Sequence, residues 1–180
     1  MNTFLIACTL LTAAAPLSAK ENTVKSFHDF KTKTLEGAPL NLDSFKGKVV
    51  LVVNTASECG YTPQYAELEA LYKDMQKKGV VVLGFPSNDF GGQEPGDAKK
   101  IRLFCDSNYK VTFPLTEKVV TKGAGASEIY RFLSETQGEP KWNFHKYLVG
   151  KDGKVLASFP SSVEPRSEKL KAAIDSALAH

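Results

Sequence analysis

Val49-Val50-Leu51-Val52-Val53-Asn54-Thr55-Ala56-Ser57-Glu58-Cys59-Gly60-Tyr61-Thr62-Pro63 decides how this chain folds. Its first five residues are apolar without a break and mostly β-branched, the composition of a strand buried on both faces of a sheet. Thr62 offers a helix cap and Pro63 a first helical position. Tyr65, Leu68, Tyr72 and Met75 then recur at helical spacing until Lys77-Lys78-Gly79 stops the run. A strand therefore hands over to a helix, and Cys59 sits at the junction. A thiol there meets the unpaired N–H groups and positive dipole end of the helix, which favour thiolate, the nucleophilic form. The competing reading is a small buried hydrophobe with no chemistry, the fate of most lone cysteines.

Working outward, Val80-Val81-Val82-Leu83-Gly84-Phe85 reads as a second buried strand, parallel to the first if the 63–78 helix is a crossover. A loop rich in Gly, Pro and Asn follows at 86–96. Asp97 caps a helix through Tyr109, with Ile101, Phe104 and Cys105 on one face, and Ser127 opens another that Gln137-Gly138 ends. Tyr147-Leu148-Val149 and Val155 to Phe159 pair across Gly150-Lys151-Asp152-Gly153, and Leu170, Ile174 and Leu178 mark a closing amphipathic helix. Ahead of the central strand, Phe27 to Phe30 opens a hairpin with its turn in residues 35–40, and Leu42 to Phe45 makes a helical turn. This order predicts an α/β chain with a thioredoxin-like fold: a central mixed sheet, helices on both faces and an N-terminal β-hairpin. Reactive groups in such sheets collect at the carboxyl ends of the parallel strands, where Cys59 and the 86–96 loop both lie.

The 180 residues suit one domain with a real core. A net charge of +3, with lysines scattered among acids and no aromatics on a basic face, argues against a nucleic-acid groove. Residues 1–19 carry no charged side chain, run apolar from Phe4 to Leu17, and end in Pro16-Leu17-Ser18-Ala19 before the polar Lys20-Glu21-Asn22. That pattern predicts a secretory leader cut after Ala19, leaving 20–180 as a single exported, periplasmic domain without stable membrane attachment. The apolar run is short for a membrane span, and Leu5-Ile6-Ala7-Cys8 comes too early for a lipid-attachment box. Cleavage removes Cys8 and leaves Cys59 and Cys105. Two cysteines with no histidine at ligand spacing do not make a zinc site, so neither metal nor other cofactor is expected.

Three segments carry the chemistry: Asn54 to Pro63, Leu83 to Gly96, and Trp142-Asn143-Phe144-His145-Lys146-Tyr147-Leu148-Val149. In this order and spacing they closely resemble the glutathione peroxidase family in its cysteine form, over about Phe27 to Phe159. The resemblance implies that Cys59 is the peroxidatic residue and that Gln93, Trp142 and Asn143 complete the active-site tetrad. Amide and indole N–H groups are neutral donors suited to a thiolate and to the charge that develops on a leaving oxygen. Taken singly, Gln93 reads equally as a solvated turn, Trp142 as a core anchor and Asn143 as a turn cap. Two positions depart from the family pattern: Asp89 stands where many relatives have glutamine, and Ser87 where many have cysteine. Asp89 is expected to add negative charge near the pocket.

Cys105 matches the place of the resolving cysteine in thioredoxin-dependent members; the bland alternative is a buried apolar thiol beside Ile101. The resemblance thus implies a thiol peroxidase acting on hydrogen peroxide or organic hydroperoxides. Its Cys59 sulfenic acid would be resolved by Cys105 as a disulfide and recycled by a thioredoxin-like dithiol. Direct recycling by glutathione is the alternative reductant. The short Gly123 to Lys141 segment lacks the insertion found in tetrameric relatives and points to a monomer. Two rivals from other classes are a cysteine hydrolase using Cys59, His145 and Asn143, and an exported binding domain with a static disulfide.

Overall fold

The computed structural model describes residues 25–180. The expected leader, its Ala19 cut and Cys8 lie outside the described residues. A four-stranded mixed sheet forms the centre, in the order β4 (Val80–Pro86), β3 (Val49–Thr55), β5 (Lys146–Val149), β6 (Val155–Phe159). β3 pairs parallel with β4 through seven residue pairs and antiparallel with β5. A separate short hairpin joins β1 (Lys31–Lys33) to β2 (Pro39–Asn41).

Side chains alternate across a strand, and β3 divides its apolar run accordingly. Val49, Leu51 and Val53 enter one core with Tyr65, Leu68 and Met75 of α1 (Gln64–Met75), Ile101 and Cys105 of α2 (Ala98–Tyr109), and Leu170 and Ile174 of α4 (Glu168–Ala179). Val50 and Val52 enter the opposite core with Phe27, Phe30 and Phe45, and with Ile129, Tyr130 and Leu133 of α3 (Glu128–Gln137). Both faces of β3 are covered, which is why it needs no polar residue before Asn54.

The chain ends of the sheet position the site. β3 and β4 run parallel, so the 56–63 and 87–97 loops leave from the same edge. β5 runs against β3, so the segment preceding it, residues 142–145, arrives at that edge too. Gly84 permits a close approach there: an added Cβ would lie 2.5 Å from a Leu115 methyl, where the 114–116 segment bonds to both sides of Gly84.

Two local expectations are corrected. Phe27–Asp29 is a 3-10 turn closed by a capping box between Ser26 and Asp29, and the hairpin strands begin only at Lys31. Thr62 does not cap α1; Pro63, in helical conformation, precedes Gln64 and no side chain caps the helix. The chain already turns from Cys59 onward, with Thr62 N–H donating to Cys59 O at 2.9 Å and Tyr65 N–H to Thr62 O at 3.0 Å. The Thr62 hydroxyl is therefore free for other work.

Candidate active site

Cys59 lies in a tight turn at the carboxyl edge of β3, 7% exposed. Its Sγ accepts the Tyr61 backbone N–H at 3.4 Å. The Thr62 hydroxyl fixes the turn from both sides, accepting the Cys59 N–H at 3.0 Å and donating to Ala56 O at 2.9 Å. The donor expected from a helix N-terminus is thus supplied by the turn that leads into it. Among the described residues, Tyr61 N–H is the one hydrogen-bond donor on this sulfur.

The other two segments are tied to this turn and to each other. Glu58 N–H donates to Gln93 O at 3.0 Å, joining the nucleophile loop to the loop after β4. Gly91 and Gly92 both sit at positive φ, a pair of left-handed residues that reverses the chain just before Gln93. Asn143 is fully buried and donates its Nδ2–H to Gln93 Oε1 at 2.9 Å and to Phe90 O at 3.3 Å. With Oε1 occupied, the Gln93 Nε2–H2 group stays available to another acceptor. Asn54, the first polar residue of β3, donates from Nδ2 to Trp142 O at 3.0 Å and accepts Phe144 N–H on its backbone oxygen. Lys146 Nζ, wholly buried, donates to Gln64 Oε1, Phe144 O and Val163 O and so ties the start of α1 to the same segment. Phe144, at φ +62, makes the tight turn between Asn143 and β5.

Trp142 is no core anchor. It is 40% exposed, packs against Phe90 at 5.9 Å between ring centroids, and with Tyr61 and His145 lines an open cavity of about 800 Å³. Gln93 and Asn143 are brought into direct contact, while Trp142 joins the group through its backbone and Phe90. Cys105 lies on the inner face of α2, fully buried, and both thiols are free. Burial pushes the Cys105 thiol up to about 11, opposed by the Tyr65 hydroxyl beside it.

Asp89 is engaged by residues 87 and 121. Its Oδ2 accepts from the Ser87 hydroxyl, the Thr121 hydroxyl and the Thr121 N–H. The two departures from the family pattern, Ser87 and Asp89, therefore form one internal knot that ties the 86–96 loop to residue 121. His145 is neutral at physiological pH, pulled down to about 4 by burial and by the Lys146 and Lys141 charges. A hydrolytic base needs a higher pKa and a hydrogen bond to the thiol, and His145 has neither.

The family model for glutathione peroxidase matches residues 27–134. The chain belongs to the glutathione peroxidase family. Glutathione peroxidase-like peroxiredoxin 2 of Saccharomyces cerevisiae is 48% identical over 148 residues, covering 79% of this chain and 91% of that protein. Hydroperoxy fatty acid reductase gpx1 of Synechocystis is 44% identical, covering 78% and 89%. A crystal structure described as Trgpx in apo form superposes with a TM-score of 0.72 at 40% identity, covering 88% of this chain and 98% of that one. A thiol:disulfide interchange protein of Chlorobium tepidum, at 18% identity and a TM-score of 0.63, shares the thioredoxin-like fold alone.

Within this glutathione peroxidase framework, sequence reasoning missed Asn54, the turn-closing role of Thr62, buried Lys146 and buried Glu94. Asn54 and Lys146 carried a readable signal, since each is a polar residue adjoining an apolar strand run that buries both faces. Glu94 carried none beyond its place next to Gln93.

Proposed function

We propose that this protein is a thiol peroxidase in which Cys59 reduces hydrogen peroxide and organic hydroperoxides. The thiolate attacks the nearer peroxide oxygen, the O–O bond breaks, and a proton completes water or alcohol while Cys59 becomes sulfenic acid. The observation that carries this reading is the Cys59 turn itself. A sulfur holding a backbone N–H stands at the sheet edge where the Gln93–Asn143 pair and Trp142 converge. Gln93 Nε2–H2 and the Trp142 indole N–H are the donors assigned to the departing oxygen, where one such donor is commonly worth about a hundred- to thousand-fold in rate. Cys105 then attacks the sulfenate, and a thioredoxin-like dithiol reduces the resulting disulfide. The names of the yeast and Synechocystis relatives, peroxiredoxin and hydroperoxy fatty acid reductase, support both the reaction and the breadth of peroxide.

One observation favours a second reading, in which glutathione reduces the sulfenate directly. Cys105 is sealed in a regular helix and its thiol is pushed up to about 11, both of which count against its acting as a ready second thiol. Stopped-flow peroxide reduction with thioredoxin and glutathione side by side separates the two. Cys59→Ser abolishes turnover with either reductant, because an alcohol is far too weak an acid to supply the anion; undiminished turnover in that variant refutes the assignment. The apolar residues 1–19 support export to the periplasm with cleavage after Ala19, and a monomeric mature form fits the short 123–141 segment. Intact-mass measurement and light scattering on the native protein test these two.

A further inference from the structure

Between the turn that carries Cys59 and the helix that carries Cys105 lies a cleft of about 290 Å³, lined by Ser57, Glu58, Glu94, Pro95, Lys100 and Phe104 among others. Glu94 is 1% exposed, and neither carboxyl oxygen closes a full hydrogen bond, although the Ser57 hydroxyl and backbone N–H lie close enough to hold part of its charge. A buried carboxyl left unpaired is costly, and proteins keep such groups chiefly where chemistry uses them. Its neighbourhood is equally unusual. Thr55 Oγ1 and Ser57 Oγ beside the Cys59 turn, and Tyr65 Oη beside Cys105, are also buried without a fully formed hydrogen bond, each lying next to another of these polar groups. Polar groups thus gather in an otherwise apolar core between the Cys59 turn and α2, close enough to Cys105 for the Glu94 charge to act on its thiol.

Glu94 is anchored on the Cys59 side of that cleft. Glu58 N–H holds Gln93 O, Glu94 N–H donates to Asn88 Oδ1 at 2.8 Å, and Lys118 Nζ bonds Glu94 O at 3.2 Å and Gly96 O at 2.8 Å. All these ties precede Asp97, the cap of α2, so the helix can unwind and leave Glu94 in place.

Resting on the two-cysteine cycle above, we propose that the Glu94 carboxylate carries the proton of the resolving step. It takes the S–H proton of Cys105 as that sulfur attacks the Cys59 sulfenic sulfur. The S–S bond forms and the S–O bond breaks; Cys105 sulfur is oxidised and Cys59 sulfur reduced. Glu94 passes the same proton to the departing hydroxide, which leaves as water, and the carboxylate is regenerated. Burial pushes the Glu94 carboxyl up to about 7, opposed by Ser57 and the Lys118 charge and reinforced by Glu58, so it both takes and releases a proton near neutrality. The remaining groups that face this region are Lys100, Arg102, Cys105 and Asp106 of α2 and Tyr65 of α1.

The test oxidises the fully reduced protein with one equivalent of hydrogen peroxide, quenches at intervals, and counts Cys59 sulfenate and Cys59–Cys105 bridge by mass spectrometry across the neutral range. In the wild type, closure accelerates as pH rises through about 7. Glu94→Gln, isosteric and uncharged, is expected to close roughly 100-fold more slowly relative to Cys59 oxidation in the same sample, without that pH rise. Glu94→Asp restores part of both. Closure by Glu94→Gln at the wild-type rate, or slower closure that keeps the wild-type pH profile, overturns the role. Wild-type sulfenate with no bridge overturns the two-cysteine cycle and this role with it, and neither sulfenate nor bridge overturns the peroxidase reading beneath both.

Discussion

Thr62 closes the turn of the proposed nucleophile, Cys59, without touching its sulfur. It accepts the Cys59 N–H and donates to Ala56 O, closing the turn that presents Sγ to Tyr61 N–H. Thr62→Val keeps the shape and removes both bonds, leaving a buried N–H unpaired at a cost of about 1–3 kcal/mol. The expected outcome is a peroxide step slowed about tenfold or more, because small misplacements of a reacting atom are expensive. Thr62→Ser, which keeps the hydroxyl, should restore most of the rate; stopped-flow oxidation of the three proteins decides, and equal rates in all would remove Thr62 from the machinery. The place of Cys59 at the sheet edge is legible in the sequence because it follows the point where an apolar run stops. Thr62 was misread as a cap because a hydroxyl there has two uses, and only the helical conformation of Pro63 chooses between them. Asp89 was legible as a departure but not as a knot, since its partner Thr121 lies 32 residues away.

At the scale of elements, α2 carries the tension between stability and turnover. Its amino end is capped by Asp97, whose Oδ1 accepts the Lys100 N–H at 2.9 Å. Its carboxyl end closes on Lys110 in left-handed conformation, φ +53, a place where glycine costs less. Cys105 sits between these ends, fully buried, and the proposed two-cysteine cycle calls for the helix to open. Asp97→Ala removes about 1 kcal/mol of capping and should raise the bridge-forming rate severalfold. Lys110→Gly relieves about 1 kcal/mol of strain and should lower it by a similar factor. Opposite shifts in closure at unchanged Cys59 oxidation are the signature of helix opening as the slow event; shifts of one sign would reject it. Cys105→Ser should keep its first oxidation and lose steady-state turnover with thioredoxin. α2 was readable in advance from Asp97 and the Ile101–Cys105 spacing, and β3 and β4 from unbroken apolar runs. The sequence at Phe27–Asp29 reads as the start of a hairpin although Ser26 and Asp29 spell a capping box, a four-residue signal masked by neighbouring aromatics.

For the molecule as a whole, three of the buried ionisable groups shape the dependence of stability on pH from acid to mildly alkaline conditions, and their signs differ. His145, held down to about 4 by burial, is neutral in the fold, so stability is lost as pH falls from its ordinary 6.5 toward 4. Lys146, drawn down to about 7 by burial, likewise loses stability as pH falls from 10.5 toward 7. Glu94 acts in the opposite sense. Its carboxyl is raised from 4.5 to about 7, so the folded state binds the extra proton between those values and stability falls as pH rises through them. Above pH 7 the fold bears a buried carboxylate that gains nothing from packing. Comparing wild type with Glu94→Gln cancels the other two groups. The variant's advantage in melting temperature should grow from pH 4.5 to 7 and then level off. With solvent screening allowed for, that advantage is up to about 2 kcal/mol, or roughly 4–8 °C for a chain of this size. Calorimetry across that window reads it directly. A flat difference means that Glu94 stays ionised throughout, which would take away both its cost to the fold and its capacity to hand a proton on at neutral pH. A rising one means that the protein keeps, near Cys59 and Cys105, a carboxyl that packing alone would have discarded.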